Sequence, residues 1–288
     1  MAESENKKLE PFWSQESSSP EEEMFSGLGP ARGSILFLGR YTLKEVIALL
    51  AKRSFFKEAK KRELWPLKFR LDSSDYPVQR FLIYWEKEEP GRIVVDLKIR
   101  EAEVKFSAPR QHGYRLPGQH CLLFEWLTLQ NPRLSFDEKH PPLPGQVRPG
   151  LSLSRKILEL FLYLGKLISL DALVAFPAYF HNALLFSRYF QFVNPIREGE
   201  IKAIRRQFSH VPFRQLAWAV YLGCLKDEDG QVYEWQAEEQ VVALSQTLKD
   251  YLDSRLYREI VRHVEKTAVF SLDWELFQKK SREQGILY

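Results

Sequence analysis

The chain has 288 residues, 44% of them hydrophobic and 14% aromatic, a composition that supports a full globular core and excludes a wholly disordered chain. Forty-two basic residues against 38 acidic ones leave a formal charge of +4, too small a surplus to indicate nucleic acid by itself. Two cysteines, Cys121 and Cys224, lie far apart in sequence and no apolar run opens the chain, so we read them as reduced core residues and expect a cytoplasmic protein.

In chain order, residues 1–30 carry SQESSSPEEEM, polar and low in complexity, and read as a disordered tail with Phe12 or Phe25 as a docking hydrophobe; the alternative is a partner-binding arm. Ile35-Leu36-Phe37-Leu38 reads as a short strand. Thr42 and Glu45 have the spacing of a capping box, and Val46, Leu49, Leu50, Phe55 and Phe56 give the helix after it a buried side. Its basic side, with Lys52, Arg53, Lys57, Lys60, Lys61 and Arg62, is either a solvated face or a surface for an anionic partner. Strand character follows over 67–73, 78–85 and 92–106, rich in β-branched and aromatic side chains between the turns DSSDYP and EKEEPG. CLLFEWLTL, Cys121–Leu129, suits an internal strand covered on both sides and stops at Gln130-Asn131-Pro132.

A proline-rich crossing, RLSFDEKHPPLPGQV, leads to RPGLSLSRKIL. Here a glycine turn enters a helix whose stripe is Ile157, Leu160, Phe161, Leu164 and Leu167. The first N–H groups of a helix lack internal acceptors and sit in a partial positive field, so this turn can hold a phosphate with Arg148, Arg155 and Lys156 beside it. The competing reading is a helix capped by the hydroxyl of Ser152 or Ser154. GLSLS is not a hydrolase elbow, since Ser154 stands where the second glycine belongs. The six histidines are dispersed, without the paired spacing of metal ligands. The longest apolar run, ILELFLYLGKLISLDALVAF, is interrupted by Glu159, Lys166 and Asp171, so no membrane span is expected.

Ala172–Phe176 reads as a strand, His181–Phe190 as a helix and Phe192-Val193 as a strand. Helices are expected over 201–210, 213–223 and 248–264, and in SLDWELFQKKSRE with Ser271 able to cap it. No internal repeat occurs. The last ninety or so residues form a lid, an interface element or a packed extension of the core.

CLLFEWLTLQNP, GLSLSRKILELF and the unit DALVAFP–HNALLFSRYF–QFV, with Ala183 and Phe192 nine apart, together resemble the Gcn5-related N-acetyltransferase superfamily over residues 32–196. The resemblance implies an α/β (α+β) fold: a mixed, mostly antiparallel central sheet flanked by helices, acyl-CoA N-acyltransferase-like. A mainly helical C-terminal extension, 197–288, follows. It implies acetyl-CoA or another acyl-CoA as co-substrate and an amine as acceptor. The cofactor would lie against Thr128, Leu129, Arg148, Gly150, Leu151, Ser152, Leu153, Ser154 and Arg155. Glu125 on the central strand and His181 at the next helix start are candidate bases. Ser187 stands where relatives place a tyrosine acid, with Tyr189 beside it. The sequence departs from the family pattern in Pro149, Ser152 and Ser154 at the turn, and in Gln191 where glycine precedes the final aromatic. The readings carried forward are acyl transfer to an amine and a non-catalytic binding or scaffold protein on the same fold. A nucleic-acid partner at Lys60, Lys61 and Arg62 is a lesser one, and the tail or the extension offers a place for a protein partner.

Overall fold

A computed structural model describes residues 35–286, so the tail 1–30 lies outside the described residues. The described chain divides into two units. The first holds residues 35–101, Leu122–Leu134 and Gly150–Ser169; the second holds Ala102–Cys121, Ser135–Pro149 and residues 170–286.

In the first unit, helix α1 (Leu43–Lys52) begins at the expected capping box: Thr42 Oγ1 accepts the Glu45 N–H at 3.2 Å, and Glu45 takes the Thr42 N–H at 2.8 Å. The helix does not run on through Phe55. Ser54 takes a left-handed φ of 63°, and α2 (Phe55–Lys61) starts afresh with Phe55 and Ala59 inward. Strands β1 (Leu67–Asp72), β2 (Gln79–Trp85), β3 (Ile93–Val104) and β4 (Gln119–Leu129) follow in that spatial order. β1–β2 and β2–β3 are antiparallel, with a register shift at Ile83/Tyr84.

The expected strand at Ile35–Leu38 is reduced to one bridge between Phe37 and Tyr41. Its backbone is served instead by a side chain: buried Gln79 accepts the Leu38 N–H at 2.6 Å and donates to the Leu36 carbonyl at 2.8 Å. Helix α4 (Ser154–Leu167) lays Ile157, Leu160 and Phe161 beside Val46 and Leu49 of α1 and Val95 and Leu97 of β3, around an apolar gap of about 30 Å³. β4 is not covered throughout. Cys121, Leu122 and Leu123 are buried, whereas Glu125 and Trp126 are exposed.

The second unit begins with the ends of β3 and β4 and the short α3 (Ser107–Gln111) between them. β5 (Ala172–Ala175) is fully buried, and α5 (Phe180–Phe186) is shorter than the expected helix, ending where Ser187 caps it. Beyond β6 (Gln191–Phe192) come α6 (Pro195–Gln207), α7 (Phe213–Tyr221) and β7 (Leu225–Lys226). β8 (Gln240–Ala243), which the sequence reading passed over, lies between β5 and β6 and is antiparallel to both. The stripe at 248–264 is two helices, α8 (Gln246–Leu252) and α9 (Arg255–Thr267), because Ser254 caps a new start by accepting the Tyr257 N–H. β9 (Ser271–Leu272) pairs with β7, so Ser271 is not a cap. Asp273 accepts the Leu276 N–H and caps α10 (Trp274–Glu283).

The C-terminal region is a packed extension within this unit. Tyr257 Oη donates to the Phe192 carbonyl at 2.6 Å and Tyr251 Oη to the Val193 carbonyl at 2.9 Å, both from buried positions. Phe180, Phe192, Ile201, Ile204, Leu216 and Val220 share one core there. The architecture is α/β: mixed, mostly antiparallel β-structure flanked by helices, with a helical C-terminal region. Among the described residues no helix is long and apolar enough to cross a membrane, and no three metal-donor side chains gather.

Candidate functional site

The start of α4 is built from alternation. Leu151 and Leu153 turn into the core while Ser152 between them stays exposed, with a left-handed φ of 55°. The N-cap position therefore falls on Leu153, which has no acceptor, and Ser154 is already the first helical residue. No side chain caps the helix, so the reading of Ser152 or Ser154 as a cap is corrected. Gly150 is also not the residue that turns the chain; Ser152 holds the left-handed position instead. Two backbone contacts strap this turn to the end of β4. Gly150 bridges Gln130, and the Leu151 N–H donates to the Leu129 carbonyl at 3.2 Å. Thr128, Leu129 and Gly150–Arg155 thus lie in one unit, with the Leu129 carbonyl partly engaged by the chain itself.

The cations around this start come mainly from a source the sequence reading missed. Arg62, just past α2, donates from Nε to the Leu151 carbonyl at 3.1 Å and from Nη1 to Glu58 Oε2 at 2.8 Å. Lys156 meets Glu58 Oε1 at 3.2 Å and Lys61 meets it at 3.4 Å. Arg62 first, then Lys156, hold the Glu58 carboxyl down to about 2. Three cations share one carboxylate, so the cluster keeps a positive excess. The Glu58–Arg62 pair is legible as an i,i+4 spacing, but nothing in the sequence ties it to residue 151. Arg155 pairs outward with Glu159 at 2.9 Å. Arg148 belongs to the second unit, where it donates to Ser135 Oγ at 3.1 Å.

The candidate catalytic residues fall in both units. Glu125, in the first unit, pairs with Arg100 at 2.5 Å on the exposed half of β4. His181, Ser187 and Tyr189 belong to the second unit. His181 and Ser187 stand at opposite ends of α5, about 9 Å apart along the axis at the helical rise. Ser187 donates its hydroxyl to the Leu184 carbonyl at 2.8 Å and accepts from Arg205, and Tyr189 is exposed beyond the helix. His181 is 2% exposed and stacks on Tyr179 with centroids 5.4 Å apart. Burial pulls its pKa down to about 4, so the imidazole is neutral at physiological pH.

Neither a protein-family model nor a curated protein matches the chain.

Proposed function

We propose that the chain binds an acyl-coenzyme A at the start of α4 and passes the acyl group, acetyl in the simplest case, to an amine. The observation that carries this reading is the uncapped helix start. The N-cap residue Leu153 makes no side-chain hydrogen bond to the helix start, Ser152 and Ser154 are exposed, and Lys156 and Arg62 supply the cationic surroundings that a pyrophosphate needs. The succession β4, α4, β5, α5, β6 supports the acetyltransferase-like reading of the fold. When bound, the thioester supplies the activated acyl group. The chain's part is to hold the phosphates through the α4 amides and to bring the amine to the carbonyl.

A second reading, ligand binding without transfer on the same fold, is favoured by the engagement of two expected catalytic groups. Glu125 is paired with Arg100, and the Ser187 hydroxyl is used by Leu184 and Arg205.

Calorimetric titration with acetyl-coenzyme A tests the common element. Binding is expected in the wild type and is abolished in Ser152→Asp, which places a carboxylate against the phosphates. Equal affinity in the two proteins excludes contact at this turn. Release of free thiol with a panel of amines separates the readings: release supports transfer, and binding without release supports the second.

A further inference from the structure

A cleft of about 490 Å³ opens in the second unit between the start of α5, the end of α7 and Val232–Trp235, within the size range of small-ligand sites. Its walls are aromatic, formed by Tyr179, Tyr221, Tyr233 and Trp235, with His181 among the lining residues. The polar ends of two of these rings are already satisfied. Tyr233 Oη accepts from Arg197 at 2.8 Å, and Trp235 Nε1 donates to the Pro177 carbonyl at 3.0 Å, which fixes both rings. Tyr179 and Tyr221 stand 6.1 Å apart at 46°. Tyr179 passes close to Gly145, where any Cβ would lie 2.3 Å from its hydroxyl.

Charge selects the occupant. Burial keeps the His181 imidazole neutral, and among the described residues no Lys or Arg lines the cleft, so Glu234 is the one formally charged described residue in its lining. The nearby Arg197, over the Tyr233 and Trp235 rings at 5.9 and 5.6 Å, is balanced by Glu200 and Glu238, each at 2.7 Å. Glu234 among the lining residues, beside electron-rich rings, gives the cleft a feature that attracts a cation.

We propose that this cleft is a binding site for a small organic ammonium ion, with the charged nitrogen facing Glu234 and the tyrosine rings and the carbon body against Val220 and Leu222. The site needs no thioester, so its test is separate from that of the α4 start.

The full chain, without coenzyme A, is titrated with phenethylammonium and with its neutral analogue 2-phenylethanol, by calorimetry and by the imidazole proton resonances of His181. The wild type is expected to bind the ammonium roughly tenfold more tightly than the alcohol, the size of a partly exposed carboxylate and cation–π contribution combined. Glu234→Gln removes most of that preference, and Tyr221→Ala weakens the ammonium several-fold. Both side chains are exposed, Tyr221 by 55%, so neither variant threatens folding, and unchanged thermal melting verifies this. The His181 resonances shift on saturation. Equal affinity for ammonium and alcohol, full preference retained in Glu234→Gln, unmoved His181 resonances, or no binding at millimolar ligand overturns the proposal.

Discussion

His120 and Asp171 bond to each other twice: the His120 N–H donates to Asp171 Oδ2 at 2.8 Å, and the Asp171 N–H donates to the His120 carbonyl at 2.8 Å. The Asp171 carbonyl then accepts the N–H groups of Leu244 and Ser245, at 2.8 and 2.9 Å. One residue ahead of β5 thereby ties the beginning of β4 to the end of β8. Ser245 continues the chain of contacts, donating to Gln119 Oε1 at 3.0 Å and capping α8.

Asp171→Ala removes the acceptor for a half-buried backbone donor and is expected to cost about 1–3 kcal/mol of stability. Asp171→Asn keeps an acceptor oxygen and costs less. Urea denaturation midpoints of the two variants order them; equal losses, or none, contradict the role given to the carboxylate.

At Ser152 the backbone sits at a φ of 55°, where a Cβ is unfavourable, and the side chain is exposed. Ser152→Gly is expected to raise stability by up to about 1 kcal/mol, and Ser152→Val to lower it by about 1–2 kcal/mol. Chemical denaturation gives both numbers. A loss on Ser152→Gly shows that the serine is held by something other than local geometry.

His181 gives stability a pH dependence whose direction is defined. Its ordinary pKa of 6.5 falls to about 4 in the folded chain, so between these values the unfolded chain binds more protons. Stability is full well above pH 6.5 and declines as the pH drops towards 4, by about 3 kcal/mol in total from this group. His181→Gln flattens that part of the profile. Thermal melts from pH 4 to 7 in both proteins measure it, and parallel curves assign the acid sensitivity to other groups.

Gly199 lies where α6 crosses α9. A Cβ there would sit 2.6 Å from Val264 Cβ and 2.9 Å from the Val261 carbonyl oxygen, so backbone as well as side chain must yield. Gly199→Ala is expected to cost about 1–3 kcal/mol by overpacking. Adding Val264→Ala recovers part of the loss because it removes the nearer obstacle. Denaturation of the single and double variants checks both statements, and a neutral Gly199→Ala contradicts the close approach.

Much of the molecule's local order is legible one segment at a time. The Thr42–Glu45 box, the aliphatic stripe of α4 and the β-branched runs of β2 and β3 each carry their signal within a few residues, and each forms where the pattern predicts. β8 does not carry such a signal. Four residues after Glu238-Glu239 are too few for a periodicity, and they become a strand because the edges of β5 and β6 supply partners for their backbone. The break at Ser54 and the start at Ser254 are likewise small local choices within longer apolar stripes.

The candidate sites divide along the same line. RPGLSLSRKIL by itself determined a turn entering an amphipathic helix with basic residues at its start. Whether serine or leucine would hold the capping position depended on which of them the core drew inward, and Leu151 and Leu153 went in. Tyr179, Tyr221 and Trp235 had no common motif, since rings on three separate segments become one wall only when α5, α7 and the Val232–Trp235 segment come together. Periodicity, capping and turn chemistry are short-range and can be read from neighbours in sequence. Burial, charge balance and the shape of a cleft are sums over neighbours in space, and only the folded chain sets those.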